Sequence, residues 1–131
     1  MAKRKGRGPT PLAHLRNVLR GLKKRGATNV QLNAIERFVR RNYDGGGFCH
    51  YCSAALDPRT FSIDHADPVS RGGSHSTYNL RMCCLRCNKI KGSFTEAEFV
   101  KLRSCALDLG GECFKQLNSR LLASNNIFRR W

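Results

Sequence analysis

Two cysteine pairs, Cys49-x-x-Cys52 and Cys84-x-x-Cys87, constrain this chain more than any other feature of its sequence. A gap of two residues lets one turn of backbone aim both sulfurs at one ion, and two such knuckles complete a tetrahedral four-thiolate shell for zinc. The 31 residues between Cys52 and Cys84 exceed the roughly 15–20 of the simplest zinc ribbon, so a hairpin is expected to loop out between the knuckles. Four sulfurs leave no position for water, which makes such an ion structural and puts any chemistry elsewhere. Its contribution is to folding. A hairpin and helix of about 40 residues bury too little to hold themselves, and thiolate ligation adds on the order of 10 kcal/mol. The competing reading is a set of buried or redox cysteines. Cys83, Cys105 and Cys113 have no partner at this spacing and read as small core residues, with Cys83 a rival to Cys84 for the ligand position.

Thiolate ligands belong to a reducing compartment, and an odd total of seven cysteines argues against a disulfide framework. No apolar run approaches the roughly 20 residues of a membrane helix, and the start MAKRKGRG leads into an amphipathic segment instead of a signal-peptide core. These features predict a soluble, cytoplasmic protein with no membrane partner. Its charge is that of a polyanion binder, since 24 Lys and Arg against 9 Asp and Glu leave a formal +15. Residues 1 to 43 hold 12 of the basic side chains and a single acid, Glu36. Basic groups this dense repel one another unless a polyanion neutralises them, so nucleic acid is the expected partner; a solubilising surface is the alternative.

At 131 residues the chain is one domain's worth. Residues 1–9, rich in Gly, Lys and Arg, are expected to form a flexible basic arm ahead of a single domain over 10–131. Thr10 before Pro11 reads as an N-cap with proline at the first helical position, and Leu12, Leu15, Leu19 and Leu22 keep helical spacing as far as Gly26. Thr28 with Gln31 is a capping-box pattern for a second helix, with Val30, Ile35, Phe38 and Val39 as its apolar face; 10–44 thus form basic N-terminal helices. After the three glycines at 45–47 the periodicity changes. Phe48 to Cys52 is a knuckle, Thr60 to His65 and Tyr78 to Met82 suggest paired strands, and Pro68 with Gly72-Gly73 marks the loop between them. Cys84 to Lys91 reads as a short helix. Thr95 with Glu98 caps a helix to about 109, with Val100 and Leu107 among its packed residues, and a last helix is expected over 112–123. The predicted class is α+β.

The looped-out segment carries Asp64-His65-Ala66-Asp67-Pro68, then Arg71-Gly72-Gly73, then Tyr78-Asn79-Leu80, and closes on Cys84-Leu85-Arg86-Cys87-Asn88-Lys89-Ile90-Lys91-Gly92. This ordered set resembles the HNH endonuclease family, in its zinc-stabilised branch that reads C-x-x-C, D-H-x-x-P, G-G, N-L, then C-x-x-C-N-x-x-K-G. The resemblance covers residues 48–94 and does not reach the flanking helices. It implies a small ββα-metal core (the His-Me finger) with a four-cysteine structural zinc site, flanked here by N-terminal and C-terminal helices. It also implies cleavage of DNA to products with a 5′ phosphate and a 3′ hydroxyl. By motif position, His65 would be the general base, Asp64 and Asn88 would hold one catalytic divalent ion, and Asn79 would brace His65. The residue types suit these roles independently. Histidine titrates near neutrality, while a carboxylate and an amide oxygen match magnesium or manganese. The chain departs from the motif that names the family by placing Asn88 where a histidine is usual, and His75 in the loop is a candidate substitute ligand or else a solvated loop residue.

Adjacent strand residues point to opposite sides, so Asp64 and His65 can share a site only if the backbone turns, with Ala66 to Pro68 as the expected bend. Arg71, Lys89 and Lys91, with Arg37, Arg40 and Arg41 on the second helix, are the candidates for contacting phosphates of double-stranded DNA; each is otherwise a solvated charge. His14 and His50 read as structural or exposed, and Phe128 to Trp131 either grip DNA or dock on the domain. Two rival functions are a zinc-containing nucleic-acid-binding module without catalysis and a redox or metal-transfer protein, which accounts only for the cysteine pairs. Whether the chain acts as a monomer or a homodimer is open at this stage, as is nicking against double-strand cleavage.

Overall fold

Thr10 caps the first helix, accepting a hydrogen bond from the Ala13 amide on its hydroxyl (3.2 Å), and α1 runs Pro11–Lys24. The computed structural model describes residues 8–108 and Ser119. The expected helix over 112–123, Cys113, the terminal aromatics and most of the basic arm lie outside the described residues. The capping box at the start of α2 (Asn29–Asp44) closes in both directions. Gln31 N donates to the Thr28 hydroxyl (3.2 Å) and Thr28 N donates to Oε1 of Gln31 (2.9 Å). These two bonds satisfy amides that a helix start would otherwise leave unpaired.

β1 (Ser62–His65) pairs antiparallel with β2 (Leu80–Cys83), in the register Ser62 with Cys83 and His65 with Leu80. Both strands are shorter at their starts than the sequence pattern suggests. Phe61 and Thr60 donate to the Asp57 carbonyl in a turn, and Thr77–Asn79 form one 3-10 turn before β2. α3 (Leu85–Lys91) follows, with Cys84 as its N-cap, and α4 is Glu96–Asp108, opened by reciprocal Thr95–Glu98 hydrogen bonds of 3.2 Å.

The core joins Leu15 and Leu22 of α1 and Ile35 and Val39 of α2 to Phe61, Ile63, Leu80 and Met82 of the hairpin. One strand of the small sheet thus buries its odd-numbered face against the helical pair, while the Ser62–Asp64 face meets α3 through side-chain hydrogen bonds. The apolar stripes are narrower than expected. Leu12, Val30, Val100, Leu107 and Cys105 are exposed, and Phe99 alone of these α4 positions is buried, edge-on to Tyr51 with ring centroids 5.1 Å apart. Val100 and Leu107 lie seven residues apart and so share one face of α4, where they border a shallow groove together with Tyr51 and Phe99.

Candidate active site and metal centre

The first knuckle is a tight turn in which the Cys49 amide donates to the Ala54 carbonyl (2.8 Å), Ser53 N returns to the Cys49 carbonyl (2.9 Å), and Ser53 adopts a positive φ of 62°. The second knuckle forms because Cys84 is the N-cap of α3 and accepts from the Cys87 amide on its own sulfur (3.5 Å). Together they bring the sulfurs of Cys49, Cys52, Cys84 and Cys87 within 4.8 Å of one another. A tetrahedral shell with zinc–sulfur bonds of about 2.3 Å needs sulfurs about 3.8 Å apart, and Cys52 and Cys84 stand at 3.9 Å. The four side chains therefore fit zinc. Desolvation would raise the Cys49 thiol, but backbone amides of Cys52, Cys84 and Tyr51 hold it down at about 7, in favour of the thiolate a metal needs. Burial pushes the thiols of Cys52, Cys87 and Cys83 upward, so geometry sets Cys83 apart: it is fully buried and stands outside the sulfur cluster.

A cavity of about 730 Å³ lies along the outer edge of β1, between α1 and the end of α3. Asp64, His65 and Asn88 all line it, with Ser62, Arg25 and Asn17 among the other walls. The opening runs along the strand's edge, so residues that point to opposite faces of β1 both border it. The bend after His65 is present, stapled by the Ala66 amide on the Asn79 carbonyl (2.8 Å).

Asp64 is buried and accepts from Tyr51 Oη on Oδ2 (2.5 Å) and from Lys91 Nζ on Oδ1 (3.2 Å). Burial pushes its carboxyl up, and the hydroxyl and ammonium work against that shift. Lys91 Nζ also stands 3.2 Å from Oδ2, and since a carboxylate offers about four lone-pair sites these contacts do not exhaust its capacity for a cation. Asn88 donates its Nδ2 to the Ser62 hydroxyl (2.5 Å), which turns its oxygen the other way. A carboxylate and an amide oxygen on one cavity wall are hard donors of the kind magnesium and manganese take. Lys91, read from sequence as a phosphate contact, is instead 0 % exposed and also donates to the His65 carbonyl (2.8 Å). A lysine with its head group buried between Asp64 and the strand backbone has no route to a phosphate.

His65 is buried, and its Nε2 lies 3.1 Å from Nδ1 of His75. Desolvation, together with the neighbouring His75, Arg25 and Lys91, brings its ring down to about 4, so the imidazole is neutral and holds a lone pair at pH 7. His75, for which a solvated loop position was one expectation, is 8 % exposed and reaches the Arg25 carbonyl with Nε2 (3.2 Å). The side chain of Asn79 does not bond His65. Its Oδ1 accepts from the Asp67 amide (2.9 Å) and its Nδ2 donates to the carbonyls of Asp67 (3.1 Å) and Ser74 (2.8 Å). Asn79 braces the loop that carries His75, one step removed from His65.

Of the basic candidates, Lys89 is exposed on α3, and Arg71 is engaged by both oxygens of Glu98 at 2.9 and 2.8 Å. Arg37, Arg40 and Arg41 are exposed on α2, outside the cavity wall, with Arg40 paired to Glu36 (2.9 Å). The basic side chain that does border the cavity is Arg25 at the end of α1, which sequence reasoning did not single out. Only its chain neighbours' helical spacing hinted at that placement. His14 is structural, bonded to the Phe61 carbonyl (2.7 Å), and His50 pairs with Glu96.

No helix among the described residues is long and apolar enough to cross a membrane. No curated protein matches the chain. Residues 49–103 match the family model described as HNH endonuclease, a span that takes in both knuckles, the hairpin and α3. Over that span, which carries the four-cysteine cluster and the stretch holding Asp64, His65 and Asn88, the chain is similar to the HNH endonuclease family.

Proposed function

We propose that this protein is a metal-dependent endonuclease that hydrolyses phosphodiester bonds in double-stranded DNA. The observation that carries this reading is the meeting of Asp64, His65 and Asn88 on one cavity, beside the knuckles that hold the hairpin. Asp64 and Asn88 would hold one magnesium or manganese ion, which when bound supplies Lewis-acid stabilisation of the charge that develops on the phosphate. His65 takes the proton from the attacking water, a task for which a neutral, desolvated ring is suited. Lys91 fixes both Asp64 and the backbone of His65 from behind, so the base and the carboxylate keep one separation. Arg25 and Lys89 attract the DNA backbone, and zinc on the four cysteines maintains the hairpin without taking part in the chemistry.

The decisive experiment is incubation with supercoiled plasmid across magnesium, manganese and EDTA. His65→Ala is expected to abolish cleavage while leaving DNA affinity nearly intact, and EDTA is expected to stop the unmodified protein. Nicked product alone indicates a monomer cutting one strand, and linear product from single encounters indicates a dimer. One observation favours a second reading, a zinc-containing nucleic-acid-binding module without catalysis: the Lys91 ammonium already neutralises Asp64. DNA binding with no cleavage under any metal would favour that module.

A further inference from the structure

His75 belongs to none of the roles assigned above, yet its ring is buried between the catalytic strand and the end of α1. Its two contacts determine where the protons sit. The Arg25 carbonyl can only accept, so His75 Nε2 must carry a hydrogen and donate across the 3.2 Å contact. In a neutral ring the other nitrogen, Nδ1, then holds the lone pair. That atom faces His65 Nε2 at 3.1 Å and can only accept from it. His65 must therefore carry its proton on Nε2 and its lone pair on Nδ1.

We propose that His75 is a positioning residue that selects the tautomer of His65, leaving Nδ1 of His65 as the nitrogen that takes a proton. The assignment of that nitrogen as the working base rests on the endonuclease reading; the tautomer itself does not. The order Arg25 carbonyl, His75, His65 is a one-way chain of donors, and reversing any member would set two hydrogens or two lone pairs against each other. Three features hold the chain in place. Arg25 is the C-cap of α1, where carbonyls have no partner within the helix and are free to accept. Asn79 grips the Ser74 carbonyl next to His75 (2.8 Å) and both backbone polar groups of Asp67 at the other end of the loop. Gly73 completes the loop because a Cβ there would stand 1.7 Å from the Asp67 carbonyl oxygen. The end of a basic helix is thereby joined to the base it flanks, so docking of α1 and orientation of His65 are one structural event.

Nitrogen-15 NMR of the full chain tests this directly, with zinc present and no catalytic metal added, at about pH 9 where ordinary histidine rings are neutral. The four histidines give a small set of ring signals. The expected spectrum shows His65 with a protonated Nε2 and a lone-pair Nδ1, and His75 with the same arrangement. A protonated Nδ1 on His65, or averaged shifts at both of its nitrogens, overturns the proposal whether or not the protein cuts DNA. Two variants supply the second readout. His75→Asn keeps an acceptor oxygen where ring Nδ1 sits and is expected to retain the His65 tautomer and a kcat within a few-fold of the unmodified protein. His75→Leu fills the space without an acceptor and is expected to average the His65 tautomers and lower kcat by about 10–100-fold with KM unchanged. Equal losses in the two variants, or loss expressed in KM alone, would contradict the assignment. A protein with the expected tautomer and no cleavage at all would retain the positioning role and refute the nuclease.

Discussion

Lys91 Nζ stands 3.2 Å from each carboxylate oxygen of Asp64, with both side chains buried on the face of β1 that α3 covers. A buried ammonium needs its partner more than the partner's net energy suggests, because removing one member leaves an uncompensated charge. Lys91→Met is therefore expected to lose about 3–5 kcal/mol of unfolding free energy. Lys91→Met combined with Asp64→Asn should recover a large part of that loss. Urea denaturation of the zinc-loaded protein measures both, and additive losses would show that the pair is not coupled.

The four sulfurs predict one tightly held zinc per chain. Stripping it with a strong chelator should abolish the cooperative thermal transition, since the metal contributes on the order of 10 kcal/mol. Cys52→Ser or Cys87→Ser should bind zinc more weakly and unfold at lower temperature, whereas Cys105→Ser, at an exposed position, should leave both unchanged. Elemental analysis beside a melting curve decides.

Glu96 ties α4 to the rest of the domain through Arg81, at 3.2 Å from Nε and 3.0 Å from an Nη, and through His50. Burial works to raise its carboxyl, but Arg81 and His50 hold it below its ordinary value of 4.5. A depressed folded value means that the unfolded chain binds the proton first, so this stability is present above 4.5 and is lost as pH falls below it. The advantage of the unmodified protein over Glu96→Gln, about 1 kcal/mol or less for a partly exposed pair, should hold at neutral pH and shrink towards about pH 3, well below the unfolded value. The comparison is read over the pH range in which both proteins keep their zinc. A gap independent of pH would remove the charge from this account.

Arg25 borders the cavity with its guanidinium exposed. Arg25→Ala should weaken DNA binding for all sequences alike and flatten the salt dependence of log affinity by about one unit of slope. Arg37→Ala, on α2 and outside the cavity wall, should alter that slope without changing kcat. Fluorescence titrations at several salt concentrations separate these cases.

Gly73→Ala should open the loop between the strands, because a Cβ at 1.7 Å from a backbone oxygen cannot be absorbed by side-chain rotation. A loss of about 1–3 kcal/mol is expected, with His75 drawn off the His65 ring. Gly21→Ala meets nothing within 4 Å and serves as the control for glycine replacement, at a helix position where alanine is the better former.

Much of the architecture is local chemistry, and the sequence alone determined it. Thr10-Pro11, the Thr28–Gln31 box and the Thr95–Glu98 box set the helix starts, because a cap is a contact between residues three apart. The paired cysteines likewise announced one four-sulfur cluster, since each knuckle is built within four residues. What the tertiary structure decided lies in contacts between distant segments. Whether Lys91 met DNA or Asp64 depended on which face of α3 lay against β1, across 27 positions of chain. His75 became the partner of His65 because a loop folded back under the end of α1, 50 residues away, and no spacing rule encodes such a meeting. Hydrogen-bonding patterns between near neighbours can be written in one dimension; burial of a charge and the direction of a shared proton depend on what packs against them from elsewhere.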